Sequence, residues 1–250
     1  MEQAIRQRLN AINREFYRIT AAEFDQTRQE AWRGWETLLP YLQPSPPQTV
    51  LDVGCGNGRF GVFLAQHLPG DLRYHGIDSN PALLQLAAQS LATDAPKLRL
   101  QLDETDVIEN PPTTGQYDLV VFFGMLHHFP GSAERLIFMR TLADRVAPGG
   151  ILAFAAWRFY EFERFRERIV PWAADLAGEV EAHDYLLDWR RGATALRYCH
   201  YVDDAEHAAL MQATGLTAIS TYRADGFTGT VNCYSILKKD ERSMMAVSTG

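Results

Sequence analysis

The stretch VLDVGCGNGRFGVFLA, residues 50–65, constrains the fold more than any other part of the chain. An apolar run that contains one acid, Asp52, is followed by several glycines and then by a helical pattern. A strand that ends in glycines can turn tightly and bring its backbone close to a ligand. The helix that follows directs its free N–H groups at that ligand. The spacing of Gly56, Gly58 and Gly61 matches G-x-G-x-x-G, which is a weak signal by itself. The stretch therefore predicts a strand, a loop that can receive a ligand, and a helix.

Strand-like and helix-like segments alternate around this stretch. The pattern predicts strands at 49–54, 72–78, 97–102, 117–126 and 151–157, with helices at 59–67, 81–92 and 133–146. Such an alternation is typical of a parallel sheet that is covered by helices on both faces. A helix at 203–214 and two strands at 216–222 and 231–238 close the fold, and we expect these two strands to pair in an antiparallel manner.

The segments outside this alternation suggest how the chain is divided. Apolar residues recur at helical spacing from Ile5 to Ile19, and QPSPPQ at 43–48 ends any helix before the first strand. We therefore expect an N-terminal helical cap, a main domain with an insertion that is rich in charge and lacks a clean strand, and a frayed, flexible tail. The expected boundaries are 1–43 for the cap, 49–240 for the domain, 158–200 for the insertion and 241–250 for the tail.

Composition excludes several classes of protein. The 250 residues, 46% of them apolar, suffice for one substantial core, and a net charge of −7 argues against a broad nucleic-acid-binding surface. Three cysteines without zinc-ligand spacing predict no disulfide framework and no metal, and they fit a reducing, cytoplasmic location. We expect neither a secretory signal nor a membrane span, because no long uncharged apolar run is present.

Two acids narrow the choice of cofactor. Asp52 lies inside the predicted first strand, where a charge must face a ligand or accept backbone N–H bonds, since burying it alone is costly. A sulfonium or an ammonium group suits this carboxylate, whereas the two phosphates of a dinucleotide would be repelled. Asp78, at the end of the second strand, lies where a ribose-binding carboxylate belongs. A nicotinamide-dependent oxidoreductase is therefore the less favoured alternative.

Several motifs support the same choice. LDVGCGNG, GIDSNP, TDVIENPPTTGQYDLVV, HHF and VAPGG resemble, in order and at ordinary spacings, the motifs of the class I S-adenosylmethionine-dependent methyltransferases. The resemblance covers residues 49–157. It implies an α/β, Rossmann-like fold with a seven-stranded, mostly parallel sheet, helices on both faces and an antiparallel last strand. It also implies S-adenosylmethionine as the cofactor.

The resemblance further implies a set of cofactor-binding residues. Asp78 would bind the ribose hydroxyls, and Asp106 with Val107 would hold the adenine, with Asp103 as a competing choice for that role. The segment 123–126 would pass beneath the sulfonium. The complete predicted set is Asp52, Gly54, Cys55, Gly56, Asn57, Gly58, Asp78, Ser79, Asp106, Val107, Phe123, Gly124 and Leu126.

A narrower resemblance extends over most of the chain. FYRITAAEFDQTRQEAWRGWETLLPYL, GMLHHF, RIVPWAAD and LRYCHYVDDAEHAALM resemble segments of the tRNA wobble-uridine carboxyl methyltransferases, which esterify a carboxymethyl group on the anticodon base. This implies tRNA as a partner and allows a small activating subunit. The chain departs from the family at Cys199, where a tyrosine is usual, and at 231–233. A small-molecule carboxylate therefore stays open as the acceptor, as does a regulatory protein that binds the cofactor without catalysis.

A carboxylate acceptor is already ionised, so it needs no general base, but it needs cations to hold it. Arginine can bind a carboxylate with two parallel hydrogen bonds. We therefore predict Arg197, His200 and Arg158 as the catalytic residues that fix the acceptor, with His127 and Tyr17 as secondary candidates. If the acceptor were a hydroxyl or a ring nitrogen, His127 or His128 would serve as the base.

Structural roles compete with these assignments. Arg197 could form an ion pair with Asp203 or Asp204, and Trp189 could pack in the core rather than stack on a base. The segment 160–169 has opposite charges at helical spacing, which predicts a solvated helix face rather than a positive groove for RNA.

Overall fold

A computed structural model describes residues 1–26, 30–191 and 193–241, with the side chains of residues 22, 24, 25, 190, 191 and 193 left out of account. The predicted tail therefore lies, apart from Glu241, outside the described residues.

The strands are β1 (Thr49–Val53), β2 (Arg73–Asp78), β3 (Arg99–Glu104), β4 (Tyr117–Phe122), β5 (Val146–Trp157), β6 (Ile169–Val170), β7 (Asp184–Arg191), β8 (Ala193–His200), β9 (Thr217–Ala224) and β10 (Asn232–Lys238). The α-helices are α1 (Gln3–Gln26), α2 (Arg33–Leu42), α3 (Arg59–His67), α4 (Pro81–Asp94), α5 (Ser132–Arg145), α6 (Glu163–Arg166) and α7 (Asp204–Ala213). None of these helices is both long and apolar enough to cross a lipid bilayer.

The large sheet has seven strands in the order β3-β2-β1-β4-β5-β10-β9. Strands β1 to β5 pair in parallel, whereas β10 is antiparallel to both β5 and β9. The predicted fold class, including the antiparallel last strand, is confirmed. The order of the strands reverses between β1 and β4, so the connections that follow these two strands leave in opposite directions. A crevice therefore opens at the carboxyl ends of the strands at this point.

Helices cover both faces of the large sheet. Neighbouring residues of β4 alternate between the faces: Leu119 and Val121 join one apolar cluster, and Val120 and Phe122 join the other. Helices α2, α3 and α4 supply the first cluster, while α5 and α7 supply the second. Parallel strands that are buried on both faces require nearly continuous apolar runs, which is why the sequence marked them so clearly.

The insertion differs from its prediction. Residues 158–200 contain a hairpin, in which β7 pairs with β8, and β6 adds a short third strand. The helix expected at 160–169 is reduced to the single turn α6 and a short 3₁₀ turn before it. The strands were missed because Asp184, Arg197 and His200, which interrupt the apolar pattern, are buried rather than exposed.

The two helices at the N-terminus pack against different sheets. On α1, Leu9 packs with Leu176 and Tyr198, and Phe16 packs with Trp189, so this helix covers the hairpin. On α2, Trp35, Leu38 and Leu42 pack instead into the core of the large sheet. As a result, α1 holds the hairpin beside the crevice of the large sheet.

Candidate active site

A cavity of about 490 Å³ lies at the carboxyl ends of the parallel strands, at the point where the strand order reverses. Open α/β sheets bind their ligands at this position. We call one part of it the loop end, which is lined by Gly54, Gly56, Asn57, Asp78, Ser79, Asp106 and Val107. We call the other part the insertion end, which is lined by Trp157, Arg164, Phe165, Arg168, Trp189, Arg197 and Phe227.

The glycine loop after β1 shapes the loop end. Gly56 has a φ of +55°, and a Cβ built on it would find no atom within 4 Å, so its bare backbone borders open space. Gly58 also has a positive φ, but a Cβ there would lie 2.9 Å from Leu91 and 3.0 Å from Ala87. Gly56 therefore leaves room for a ligand, whereas Gly58 allows α3 to approach α4.

Asp78 fixes this loop from the end of β2. Its carboxylate accepts backbone N–H bonds from Gly56 and from Asn80, each at 2.9 Å. Burial raises the pKa of Asp78, and these backbone hydrogen bonds oppose that shift. Because each carboxylate oxygen can accept more than one donor, Asp78 can still receive hydroxyl groups from a ligand in the cavity.

The acid at the far side of the loop end is Asp106. It accepts a hydrogen bond from Asn10 at 2.8 Å and lies 3.4 Å from the Arg14 guanidinium, so α1 reaches over the loop end. The competing choice, Asp103, is bonded to His75 at 2.7 Å and does not line the cavity. Of these two acids, only Asp106 is in a position to bind a ligand there.

Four of the predicted cofactor residues lie outside the cavity wall: Asp52, Cys55, Gly58 and Leu126. The Asp52 carboxylate accepts a hydrogen bond from the Tyr74 hydroxyl in the core below the loop. Burial raises the pKa of Asp52 to about 7, and the bond from Tyr74 opposes this shift. Cys55 and Leu126 are buried as well. The other nine predicted residues line the cavity.

Arg197 occupies the centre of the insertion end. Only 8% of it is exposed, and its guanidinium lies 4.7 Å from the ring centre of Trp157, 5.5 Å from Phe16 and 5.9 Å from Trp189. Its Nε has no hydrogen-bond partner, and no carboxylate in the described part of the chain pairs with it. The side chain is therefore a buried cation that is held by aromatic rings and faces the cavity.

Arg158 does not reach the cavity, which corrects its predicted role. Its guanidinium donates to the Val202 carbonyl and to Asp204, both at 2.8 Å. The remaining candidate partner of Arg197, Asp203, accepts a hydrogen bond from the backbone of Glu206 and caps α7. The ion pair that competed with a ligand-binding role for Arg197 is therefore absent from the described residues.

His200 is also placed away from the cavity, between two carboxylates. Its Nδ1 lies 2.7 Å from Asp184 and its Nε2 lies 2.6 Å from Glu206. Burial lowers the pKa of His200, but the hydrogen bonds to Asp184 and Glu206 outweigh it and raise the pKa overall. Arg135 bonds to Glu206 and extends this buried network into α5. His200 thus joins the hairpin to the main domain and does not bind an acceptor.

The paired histidines have different surroundings. The Nδ1 of His128 lies 2.9 Å from the Tyr198 carbonyl, which can only accept, so this nitrogen donates. In the neutral ring the Nε2 then accepts from the Tyr17 hydroxyl, 2.9 Å away. His128 therefore has no nitrogen left to act as a base. His127 lines the cavity and packs edge-on against Trp157.

Two groups bring potential metal ligands within 4.8 Å of one another: the buried His127, His128 and Cys199, and the partly exposed Glu181 with the buried Asp184 and His200. In the first group, both ring nitrogens of His128 are hydrogen-bonded within the protein. In the second, Asp184 and His200 bond to each other. A metal ion would have to break these bonds, so we assign none to either group.

Sequence reasoning missed two sets of residues in the cavity wall. The first is a polar stripe on one face of α1, at positions i, i+3, i+4 and i+7, and its spacing beside the apolar stripe was a readable signal. It consists of Asn10, Asn13, Arg14 and Tyr17, of which only Tyr17 was predicted to contact the acceptor. Asn13 accepts from the Tyr198 backbone, while its buried Nδ2 has no partner among the described residues. The second set comprises Trp157, Phe165 and Phe227, for which the local sequence carries no signal.

Comparison with known proteins shows that the central part of the chain is similar to methyltransferases. Residues 51–152 match the model of a methyltransferase domain. The chain is 31% identical over 176 residues to a trans-aconitate 2-methyltransferase of Streptomyces avermitilis, covering 70% of this chain and 58% of that protein. It is 30% identical over 141 residues to a tRNA U34 carboxymethyltransferase of Shewanella piezotolerans, covering 54% and 39%. The chain thus spans less than two thirds of the length of these relatives.

A solved structure supports the fold independently. The chain is similar to a SAM-dependent methyltransferase from Methanosarcina mazei, with a TM-score of 0.63 and 18% sequence identity. The match covers 82% of this chain and 97% of that one. The matched share of the chain is therefore larger than the segment 51–152 that matches the methyltransferase-domain model.

Proposed function

We propose that this chain, a class I S-adenosylmethionine-dependent methyltransferase, esterifies a carboxylate group that Arg197 binds at the insertion end of the cavity. The single observation that carries the proposal is the Arg197 guanidinium, which is buried beside the cavity without a carboxylate partner in the described residues. Burying a cation without a counter-ion is costly. An anionic acceptor would remove this cost on binding.

The residues of the loop end fit the cofactor. The bare backbone of Gly56 leaves a space that a Cβ would fill, and Asp78 beside it can accept from ribose hydroxyls. The buried Nδ2 of Asn13 supplies an unused donor in the same cavity. When bound, S-adenosylmethionine supplies an electrophilic methyl group on a positively charged sulfur. The acidic residues Asp78 and Asp106 at the loop end suit that positive charge.

The residues of the insertion end suit a carboxylate better than a neutral acceptor. In an in-line displacement the protein must align the attacking oxygen and exclude water, which can supply much of the reduction in the barrier. Arg197 can donate two parallel hydrogen bonds to a carboxylate, and Trp157 and Trp189 beside it restrict its movement and limit access of water. No proton has to be removed from an ionised acceptor. This agrees with His128, whose nitrogens are already engaged.

Two acceptors remain, and both are carboxylates. The narrower resemblance and one relative, a tRNA U34 carboxymethyltransferase, support a carboxymethyl group on the wobble uridine of tRNA. Aromatic and arginine side chains at the insertion end are also the residue types that bind unstacked RNA bases. Another relative is named for trans-aconitate, and the net charge of −7 favours a small carboxylic acid. We propose tRNA as the first acceptor to test and a small carboxylate as the second.

The experiment compares methyl transfer from radiolabelled S-adenosylmethionine to total tRNA with transfer to a metabolite extract. Methyl esters are hydrolysed by mild base to methanol, so we expect the transferred label to become volatile after base treatment. Label that stays in the product after base would mean that a nitrogen or a hydroxyl is methylated, and it would contradict the proposal. Cofactor binding without any transfer, both with and without added cell extract, would indicate a regulatory protein.

The need for a small activating subunit is tested by the same assay. We expect the purified chain to bind the cofactor by itself, because its own glycine loop, Asp78 and Asp106 line the loop end. If transfer to tRNA occurs only after a cell extract is added, the activating subunit that the resemblance allows is required.

A further inference from the structure

We infer that Arg164 forms a second anion-binding subsite, farther out than Arg197, so that the acceptor carries a second anionic group beside its methylated carboxylate. This inference rests on the proposed function, because it takes Arg197 as the site of the carboxylate that is methylated. It adds a requirement that the proposed function does not contain. The acceptor would have a planar ring with an anionic group on each side of it.

A continuous row of cationic and aromatic side chains links the two arginines. Arg197 lies 4.7 Å from the ring of Trp157, and the rings of Trp157 and Phe165 are 4.9 Å apart. Arg164 lies 5.3 Å from the ring of Phe165 and 4.5 Å from the ring of Phe227. All five side chains line the same cavity. The row therefore runs from the buried guanidinium of Arg197 outward to Phe227 at the mouth.

Arg164, like Arg197, lies against aromatic rings and forms no salt bridge within the described residues. Other arginines in the structure use their charge within the protein: Arg14 pairs with Asp106, and Arg223 pairs with Glu161 at 2.7 Å. No carboxylate of the described residues forms a salt bridge with Arg164. Its charge is therefore available to a ligand in the cavity.

The rings beside Arg164 indicate the shape of that ligand. Phe227 is 57% exposed, which is unusual for a large apolar side chain, and it lies at the cavity mouth. An exposed phenylalanine next to an arginine can stack on a planar ring while the guanidinium binds a phosphate or a carboxylate. The second anion can be a phosphate of a nucleotide or a second carboxylate of a free aromatic acid. The experiment separates these two sources.

Arg166 provides a matched control on the same short helix. It donates to the Tyr160 carbonyl at 2.8 Å, lies over the Tyr160 ring and does not line the cavity. Substituting Arg166 with Gln changes the net charge of α6 as much as substituting Arg164 with Gln. A difference between the two variants thus reports the subsite and not the overall charge.

The test is calorimetric binding to the full chain in the presence of S-adenosylhomocysteine, with two pairs of probes. One pair is 5-carboxymethyluridine and its 3′-monophosphate, and the other is phenylacetate and 4-(carboxymethyl)benzoate, so that each pair differs by one anionic group. If the acceptor is a nucleotide, the second anion should tighten binding within the uridine pair; if it is a free aromatic acid, it should do so within the other pair. In either case we expect the wild type to bind the doubly anionic probe roughly tenfold more tightly. Arg164→Gln should abolish this gain, and Arg166→Gln should preserve it.

Several outcomes would overturn the inference. One is that the wild type binds both members of each pair with equal affinity. Another is that the second anion increases affinity as much in Arg164→Gln as in the wild type. The third is that Arg164→Gln and Arg166→Gln lose this increase equally. Phe227→Leu should weaken binding of all four probes without removing the gain from the second anion, since it takes away only the stacking surface. Methyl transfer is not measured here, so a failure of the proposed esterification is seen separately, as an absence of base-labile methyl groups.

Discussion

The two ends of the cavity are built in different ways. The loop end consists of residues that directly follow β1, β2 and β3, and hydrogen bonds between strands and loop backbone hold it, such as the bond from the Gly54 N–H to the Ile77 carbonyl at 2.7 Å. The insertion end is assembled from residues between 157 and 227, and side chains of distant segments hold it. The sheet therefore determines the first end, while the hairpin and α1 determine the second. We therefore expect that the insertion end can change without disturbing the loop end.

The two ends also differ in charge. Two carboxylates, Asp78 and Asp106, line the loop end, with Arg14 paired to Asp106, whereas the insertion end is lined by Arg164, Arg168 and Arg197. A cationic methyl donor suits the first and an anionic acceptor suits the second. The arrangement predicts that a substitution at one end changes the binding of one substrate and leaves the other largely unaffected.

Helix α1 is the element that connects the two ends. Asn10 bonds to Asp106 at the loop end, and Asn13 accepts from the backbone of Tyr198, the neighbour of Arg197. Tyr17 bonds to His128, and the other ring nitrogen of His128 bonds to the Tyr198 carbonyl. The position of Arg197 relative to the cofactor therefore depends on one face of this helix.

The largest effect is expected at Arg197. Arg197→Gln should lower kcat/KM for the acceptor by roughly 10²- to 10³-fold, because losing one partner of a buried charge pair costs about 2–5 kcal/mol. Affinity for S-adenosylmethionine, measured by calorimetry, should stay within about twofold, since the loop end does not use Arg197. An equal loss of both would show that Arg197 holds the two ends together, and the separation between them would be wrong.

A smaller effect, on the cofactor rather than on the acceptor, is expected at Asp78. Asp78→Ala should weaken binding of S-adenosylmethionine by about 1–2 kcal/mol, or roughly 5- to 30-fold, because hydrogen bonds to a charged group are lost. At saturating cofactor, KM for the acceptor should remain close to that of the wild type. Asp103→Ala is the matched control, since this neighbouring acid bonds to His75 and lies outside the cavity. Equal affinities of the two variants would contradict the ribose assignment.

Tyr17→Phe tests the connection between the ends. It removes only the hydroxyl that bonds to His128, whose other nitrogen holds the Tyr198 carbonyl. Loss of one such bond should raise KM for the acceptor by roughly 3- to 10-fold, with cofactor affinity unchanged. The pH profile of kcat should also be unchanged, because His128 positions β8 and takes no proton. A new ionisation in that profile would mean that Tyr17 or His128 takes part in the chemistry.

The same difference between the ends explains what the sequence revealed. Gly56, Asp78 and Asp106 follow strands with clear apolar patterns, so their meeting at one edge of the sheet could be predicted. Arg197 could be proposed from the resemblance, but its separation from Arg158 and His200 could not be predicted. All three are cationic side chains within or beside the insertion, and their roles depend on which distant carboxylates lie nearby. No local pattern encodes the pairing of residues that are far apart in the chain.

The smallest effect on turnover is expected at His200, which lies outside both ends and acts on stability. Its pKa in the folded protein is raised above the ordinary 6.5, because bonds to Asp184 and Glu206 outweigh the opposing effect of burial. Its contribution to stability is therefore fully present below pH 6.5 and is lost as the pH rises through the folded pKa. The difference in Tm between wild type and His200→Gln should shrink as the pH rises to about 9.

The Tm difference between wild type and His200→Gln should also shrink at low pH, because Glu206 becomes protonated. Burial opposes the shift, but bonds from His200 and Arg135 lower the pKa of Glu206 below 4.5, so its contribution to stability is lost as the pH falls through the lowered value.

His207 is the control, because burial lowers its pKa to about 4, and its Nε2 bonds to the Ser235 hydroxyl. His207→Gln should differ from wild type by a constant Tm between about pH 7.5 and pH 9, where this histidine is neutral in both states. A constant difference for His200→Gln over that range would mean that His200 is neutral too, and that the insertion end is held without this charge.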